Sequence, residues 1–185
     1  MLRTRSTALL LAVFAASLQA AGCRPLRLAP DTPQASPDDL TAIAVVSGRS
    51  GSTLSGEATL VETGAGVIID LRVQNAPGGW HAVHLHERGD CSASDGTSAG
   101  GHFNPDGVAH GAPDASEHHA GDLGNMWVHA DGTGRKVILM PELSVSPGPR
   151  SVVGRAIIVH AGADDLVTQP TGGAGGRIGC GEIEL

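Results

Sequence analysis

Gly66-Val67-Ile68-Ile69-Asp70-Leu71-Arg72-Val73-Gln74 is the stretch that decides the fold class. Val67, Ile69, Leu71 and Val73 share one face, and Ile68, Asp70, Arg72 and Gln74 share the other. Alternation of period two with one polar face predicts an antiparallel strand whose apolar side covers a core. On both sides of it, segments of similar character recur between turn residues. Thr41–Val46 and Glu57–Glu62 precede it, and Trp80–His86, Met126–Ala130, Arg135–Met140, Val152–His160 and Ile178–Leu185 follow. Asp131-Gly132 reads as a hairpin turn, and no segment makes a convincing amphipathic helix. About eight short strands among 27 glycines and 11 prolines predict an all-β sandwich or flattened barrel. Aromatic residues make up 2% of the chain, so Val, Ile, Leu and Ala must fill the core. Two long connections remain, Gly89–Asn125 and Ala161–Arg177, and unstructured loops of that length are usually functional.

The ends and the charge bound the context. Residues 1–22 read as a secretory signal: Arg3 and Arg5, an apolar run from Ala8 to Ala16, then small residues. That run is too short to span a bilayer as a mature helix. Ala20-Ala21-Gly22-Cys23 resembles the lipobox of bacterial lipoproteins, in which the cysteine is lipidated and becomes the new N-terminus. Ala20 stands where leucine is usual, which leaves ordinary signal-peptidase cleavage open. Residues 23–39 contain Pro25, Pro30, Pro33 and Pro37 and read as a tether. The expected organisation is therefore signal (1–22), lipid-attachment Cys23 with tether (23–39), and one β-domain (40–185). Export to the periplasmic side of the envelope puts Cys91 and Cys180 where disulfides persist. A bridge between them is expected, with two buried free thiols as the alternative. The formal charge of −7 becomes about −9 once the signal and its two arginines are gone. With no basic cluster and no aromatic platform, nucleic acid is excluded as a partner.

Histidine carries the chemistry. Seven of nine lie between Gly79 and Asp122, and His129 and His160 complete the set. Imidazole binds metals through a neutral ring nitrogen. His84 and His86, two apart, project from the same face of a strand, and His81 points to the other. Such a pair is half of a nitrogen-only site of the kind that suits Cu(II), and His160 offers a further imidazole. His102, His110, His119 and Asp122 lie in Gly-rich irregular chain, and three imidazoles with a carboxylate suit structural Zn²⁺. Both sets together hold more ligands than one metal needs.

In order, the motifs are His84-Leu85-His86-Glu87, Gly101-His102-Phe103-Asn104-Pro105, His110-Gly111, and His119-Ala120-Gly121-Asp122-Leu123-Gly124-Asn125. They continue with Gly154-Arg155, Val159-His160-Ala161, Ala163-Asp164-Asp165-Leu166, Gly176-Arg177 and Cys180-Gly181. Over nearly all of residues 40–185 the chain resembles the copper/zinc superoxide dismutases, a family of Greek-key β-sandwich proteins. The resemblance implies copper at His84, His86, His102 and His160, and zinc at His102, His110, His119 and Asp122. His102 would bridge the metals and act in proton transfer. Asp164 would accept hydrogen bonds from His84 and His110, Arg177 would guide the anion, and Cys91–Cys180 would tie the metal loop to the last strand. His118 could compete with His119 by a one-residue shift, and His81 and His129 match no ligand position.

The implied reaction converts two superoxide anions and two protons to dioxygen and hydrogen peroxide. An acidic chain repels superoxide, so capture needs a local positive funnel, a form of steering for which this family is a standard example. Ala161–Gly176 has no lysine, which predicts heavier reliance on Arg177. The competing expectation is an exported copper-binding or metal-buffering protein on the same fold, without catalysis. A homodimer is compatible with the family, whose members pair through different surfaces. The membrane would be a partner only through the N-terminal lipid anchor.

Overall fold

A computed structural model describes residues 40–185. The expected signal, Cys23 and the tether fall outside the described residues. Eight strands follow in order: β1 (Thr41–Gly48), β2 (Ser55–Thr63), β3 (Gly66–Gln74), β4 (Gly79–His86), β5 (Asp122–Val128), β6 (Gly134–Met140), β7 (Ala156–His160) and β8 (Arg177–Glu182). A single 3-10 turn, Thr97–Ala99, interrupts the long β4–β5 connection. All strand pairs are antiparallel and the order closes on itself, β1-β2-β3-β6-β5-β4-β7-β8.

The ladders explain why both a barrel and a sandwich fit the pattern. β1–β2, β2–β3 and β3–β6 pair over most of their lengths, as do β4–β5, β4–β7 and β7–β8. The two seams are thin. β5 meets β6 at Val128↔Gly134, and β8 meets β1 at Ser47↔Cys180 and Gly48↔Gly179. The result is a flattened barrel, two sheets joined at their edges. Consecutive strands β3 and β4 lie in opposite halves, as do β6 and β7, which is the Greek-key connection.

The decisive stretch behaves as its pattern dictates. Val67, Ile69, Leu71 and Val73 are buried, and they pack with Ala42, Ala44, Val46, Ala58 and Leu60 from β1 and β2. Each fully buried aliphatic side chain contributes about 1.5–3 kcal/mol relative to exposure. Phe103 is the one aromatic ring in this core, and the tryptophans, Trp80 and Trp127, sit outside as an exposed edge-to-face pair.

Strand boundaries depart from expectation by more than two residues in three places. β5 begins at Asp122, four residues before Met126, because a bulge in β4 between Ala82 and His84 lets His84 pair with Asp122. β7 begins at Ala156. Val152–Arg155 is a turn closed by Arg155 N–H to the Val152 carbonyl (3.1 Å), with Gly154 at φ 78°. β8 stops at Glu182, and Glu184 keeps only an isolated bridge to Ile43. Asp131-Gly132 lies in the β5–β6 hairpin as expected, with Gly132 at φ 83°.

Candidate metal centre

β4 supplies the rigid floor. Val83 and Leu85 point into the barrel core, so the alternate residues His84 and His86 point outward. They are nevertheless fully buried, because two loops cover that face. The fastening is main-chain: Leu85 N–H donates to the Gly121 carbonyl (2.9 Å), Phe103 N–H to the Leu85 carbonyl (2.8 Å), and Gly121 N–H to the Phe103 carbonyl (2.9 Å). A Cβ at position 121 would lie 2.3 Å from the Leu85 carbonyl oxygen, so this closure requires glycine. His102 and Asp122, next to these anchor points, are thereby carried over the strand.

Four imidazoles converge at the first centre: His84, His86, His102 and His160, the last from the end of β7. One nitrogen of each is buried without a hydrogen-bond partner: His84 Nδ1, His86 Nε2, His102 Nε2 and His160 Nε2. Buried polar atoms are rarely left unpaired, so four converging on one point signal a ligand. The opposite nitrogens of three are occupied. His84 Nε2 donates to Asp164 Oδ2 (2.8 Å), His86 Nδ1 to the Gly100 carbonyl (2.9 Å), and His160 Nδ1 to the Gly175 carbonyl (3.3 Å). Those bonds fix the tautomers and leave each inward nitrogen as a lone pair. Burial depresses the proton affinity of these rings despite the opposing hydrogen bonds. His84 falls to about 4, His86 to about 2 and His160 to about 3. They are neutral near pH 7, the state a cation needs. Four such nitrogens fit copper.

At the second centre, His102, His110, His119 and Asp122 converge, all buried. His102 Nδ1 is 2.8 Å and His119 Nδ1 3.3 Å from Asp122 Oδ1, and the two nitrogens are 3.3 Å apart. His110 Nδ1 lies 2.9 Å from Asp122 Oδ2, at an angle that makes no hydrogen bond, so it too is buried and unpaired. Asp122 Oδ2 is held by the N–H groups of Gly111 (3.1 Å) and His119 (2.8 Å). Burial pushes the Asp122 carboxyl up, but these N–H groups and His102 outweigh it and hold the group well below its usual range. Three imidazole nitrogens crowding one ionised carboxylate fit Zn²⁺. His102 belongs to both groups, one nitrogen to each.

Asp164 links the centres from the 161–176 loop. Its Oδ2 accepts from His84 and its Oδ1 from His110 Nε2 (3.0 Å) and Leu166 N–H (2.6 Å). Burial raises its pKa, but the bonds from His84, Leu166 and His110 bring it down to about 2. Arg177 opens β8, half-buried. Its guanidinium donates to the carbonyls of Gly96 and Gly100, both at 2.6 Å, so Gly100 serves Arg177 and His86 together. Cys91 and Cys180 form a disulfide that ties the same loop to β8.

The remaining histidines separate cleanly. His118 donates from Nδ1 to the His119 carbonyl and takes no part in either group among the described residues. His81 is buried between the His160 and Pro77 carbonyls, and His129 is exposed. Two side chains that sequence reasoning gave no role hold this centre by backbone clamps. Asn125 donates to the Asp164 carbonyl (2.9 Å) and accepts from its N–H (2.7 Å). Gln169 does the same to His110. Asn125 closes the His119–Asn125 motif, a usable signal; Gln169 carried none.

Comparison with known proteins agrees with this geometry. Residues 54–183 match the copper/zinc superoxide dismutase (SODC) family. This chain belongs to the copper/zinc superoxide dismutase family. It is 40% identical to the Cu-Zn superoxide dismutase of Caulobacter vibrioides over 152 residues, covering 78% of this chain and 86% of that protein. It is 38% identical to Cu-Zn superoxide dismutase 2 of Aquifex aeolicus over 150 residues, covering 78% and 87%. Among solved structures, a double mutant of a SOD-like protein from Bacillus subtilis superposes with a TM-score of 0.70 at 36% identity, covering 77% of this chain and 97% of that one. The family match spans β2 to β8 and both metal-covering loops.

Proposed function

We infer that the protein is a superoxide dismutase, converting two superoxide anions and two protons to dioxygen and hydrogen peroxide. Copper would be held by His84, His86, His102 and His160, and zinc by His102, His110, His119 and Asp122. The observation that carries this reading is the set of four unpaired, buried ring nitrogens sharing His102 with a carboxylate-centred set. When bound, copper supplies one-electron exchange with superoxide, and zinc supplies fixed charge without redox chemistry.

The chain's residues do the rest. Asp164 and the Gly100 and Gly175 carbonyls orient His84, His86 and His160 in advance. His102 Nε2, buried and unpaired on the copper side, would be the atom that holds a proton and gives it up to the product, a ligand used as general acid. Arg177, held by two carbonyls beside His86, presents positive charge to the entering anion. The 161–176 loop has no lysine, and the chain's one lysine, Lys136, is spent on the Asn125 carbonyl. Arg177 is therefore the principal guide.

The apolar leader, the lipobox-like Cys23 and the Pro-rich stretch support an exported, lipid-anchored form on the periplasmic side. The test of the central assignment is His160→Ala. It should lose copper and dismutation while keeping zinc; full activity in that variant would remove His160 from the copper set.

A further inference from the structure

Residues 164–172 form a self-bonded turn. Asp165 Oδ1 accepts from the N–H of Val167 (3.0 Å) and Thr168 (2.8 Å), and Oδ2 accepts from the Thr168 hydroxyl. Asp165 N–H donates to the Gly172 carbonyl (2.9 Å) and Gly172 N–H to the Thr168 carbonyl (2.7 Å). Gly172, at φ 65°, presses against the Asp164–His110 contact: a Cβ there would lie 1.8 Å from Asp164 Oδ1 and 2.8 Å from His110 Nε2.

From this turn Gln169 reaches across to His110. Gln169 Oε1 accepts the His110 N–H at 2.8 Å and Gln169 Nε2 donates to the His110 carbonyl at 2.8 Å. A side-chain amide offers one acceptor and one donor in one plane, which matches the two peptide groups of a single residue. No main-chain group bonds either peptide group of His110 among the described residues. His110 sits in irregular chain between Gly107 and Gly111, so nothing in local secondary structure fixes it. One turn therefore grips one histidine twice, at the ring through Asp164 and at the backbone through Gln169.

We propose that Gln169 is a positioning residue for His110, and that it prearranges the zinc-side ligand set by clamping the His110 peptide. The proposal rests on the zinc assignment made above. With the clamp, the ordering of His110 is complete before a cation arrives, and the binding free energy is not reduced by it. Linkage is reciprocal, so zinc in turn steadies the 164–172 turn. Among the described residues Gln169 makes no hydrogen bond to His84, His86 or His160; its clamp acts on the His110 peptide and not on the Asp164 carboxylate that also serves His84, so the effect falls on the zinc side.

The test uses Gln169→Met, which keeps length and removes both polar atoms, with His110→Ala as reference. Zinc and copper affinities are measured separately by chelator competition, and cobalt(II) is placed in the zinc site for its visible spectrum. Loss of a group that orients a metal ligand typically costs about 10–100-fold in affinity, and an exposed amide belongs at the low end. Gln169→Met should weaken zinc roughly ten-fold, leave copper essentially unchanged, and alter the cobalt bands. Unchanged zinc affinity and cobalt spectrum beside a zinc-deficient His110→Ala would overturn the proposal. So would zinc and copper falling together with the thermal midpoint, since that is general destabilisation. A His110→Ala protein that keeps full zinc affinity would instead overturn the zinc assignment, and the proposal with it.

Discussion

Removing the Cys91–Cys180 bridge should destabilise the metal-free protein by an amount the loop length sets. The two cysteines are 89 residues apart. In the chain-entropy relation a closed loop of that size removes about 15 cal/mol/K from the unfolded state, or about 4.6 kcal/mol at 25 °C. For a domain of this size each kcal/mol moves the midpoint by about 3–4 °C, so the Cys91→Ala/Cys180→Ala protein should melt roughly 15 °C lower. Chelated protein is the right sample, because bound metals would stabilise the folded state by mass action and hide the difference. Local bonds compete with this reasoning. Arg49 donates to the Cys91 carbonyl at 2.7 and 3.1 Å, and Cys91 N–H donates to Glu182 Oε1 at 3.0 Å. These contacts survive in the variant and hold the 87–101 segment, but they do nothing to the unfolded chain. A midpoint shift under about 5 °C by calorimetry would refute the unfolded-state argument and assign the segment's order to these contacts instead.

Two further outcomes follow from the site. Arg177→Ala should keep both metals and lose at least about ten-fold in dismutation rate, within the range for electrostatic steering that this family itself exemplifies. An unchanged rate in stopped-flow or pulse measurements would show that Arg177 does not guide the anion. For pH, the folded-state values of His84 (about 4), His86 (about 2) and His160 (about 3) lie below the ordinary 6.5. The unfolded chain therefore binds more protons below pH 6.5. Stability is fully present above that value and is lost as pH falls toward 4 and lower, by up to about 1.4 kcal/mol per pH unit for each ring. Asp164 and Asp122, both lowered, extend the loss to still lower pH, while His110, raised, opposes it. Urea midpoints of the chelated protein should drop between pH 7 and 5, and a flat profile there would contradict the burial argument.

The architecture was legible wherever side-chain period reported burial. The Val67–Val73 alternation gave the core face of β3 directly, and the two-residue spacing of His84 and His86 gave one face of β4. Legibility failed where geometry is set by distant chain. Val152 and Val153 look like strand, yet Val152 is buried at a turn, because burial alone does not make a ladder. Asp122-Leu123-Gly124-Asn125 hides the start of β5, since a bulge and Gly124 at φ 71° break the alternation. The ligand sets came from motif resemblance, and no local pattern links His84 to His160. The Gln169 clamp was invisible for a physical reason: a glutamine beside a proline in a loop has no periodicity to betray its partner.

The central claim is that two metals share His102 in a working redox centre. Metal analysis of the purified mature protein, paired with a dismutation assay on the same sample, tests it most directly. One copper and one zinc per chain are expected, with rapid dismutation that disappears when copper is removed. Full loading with both metals and no dismutation would contradict it, and would make the protein a metal-buffering member of the fold.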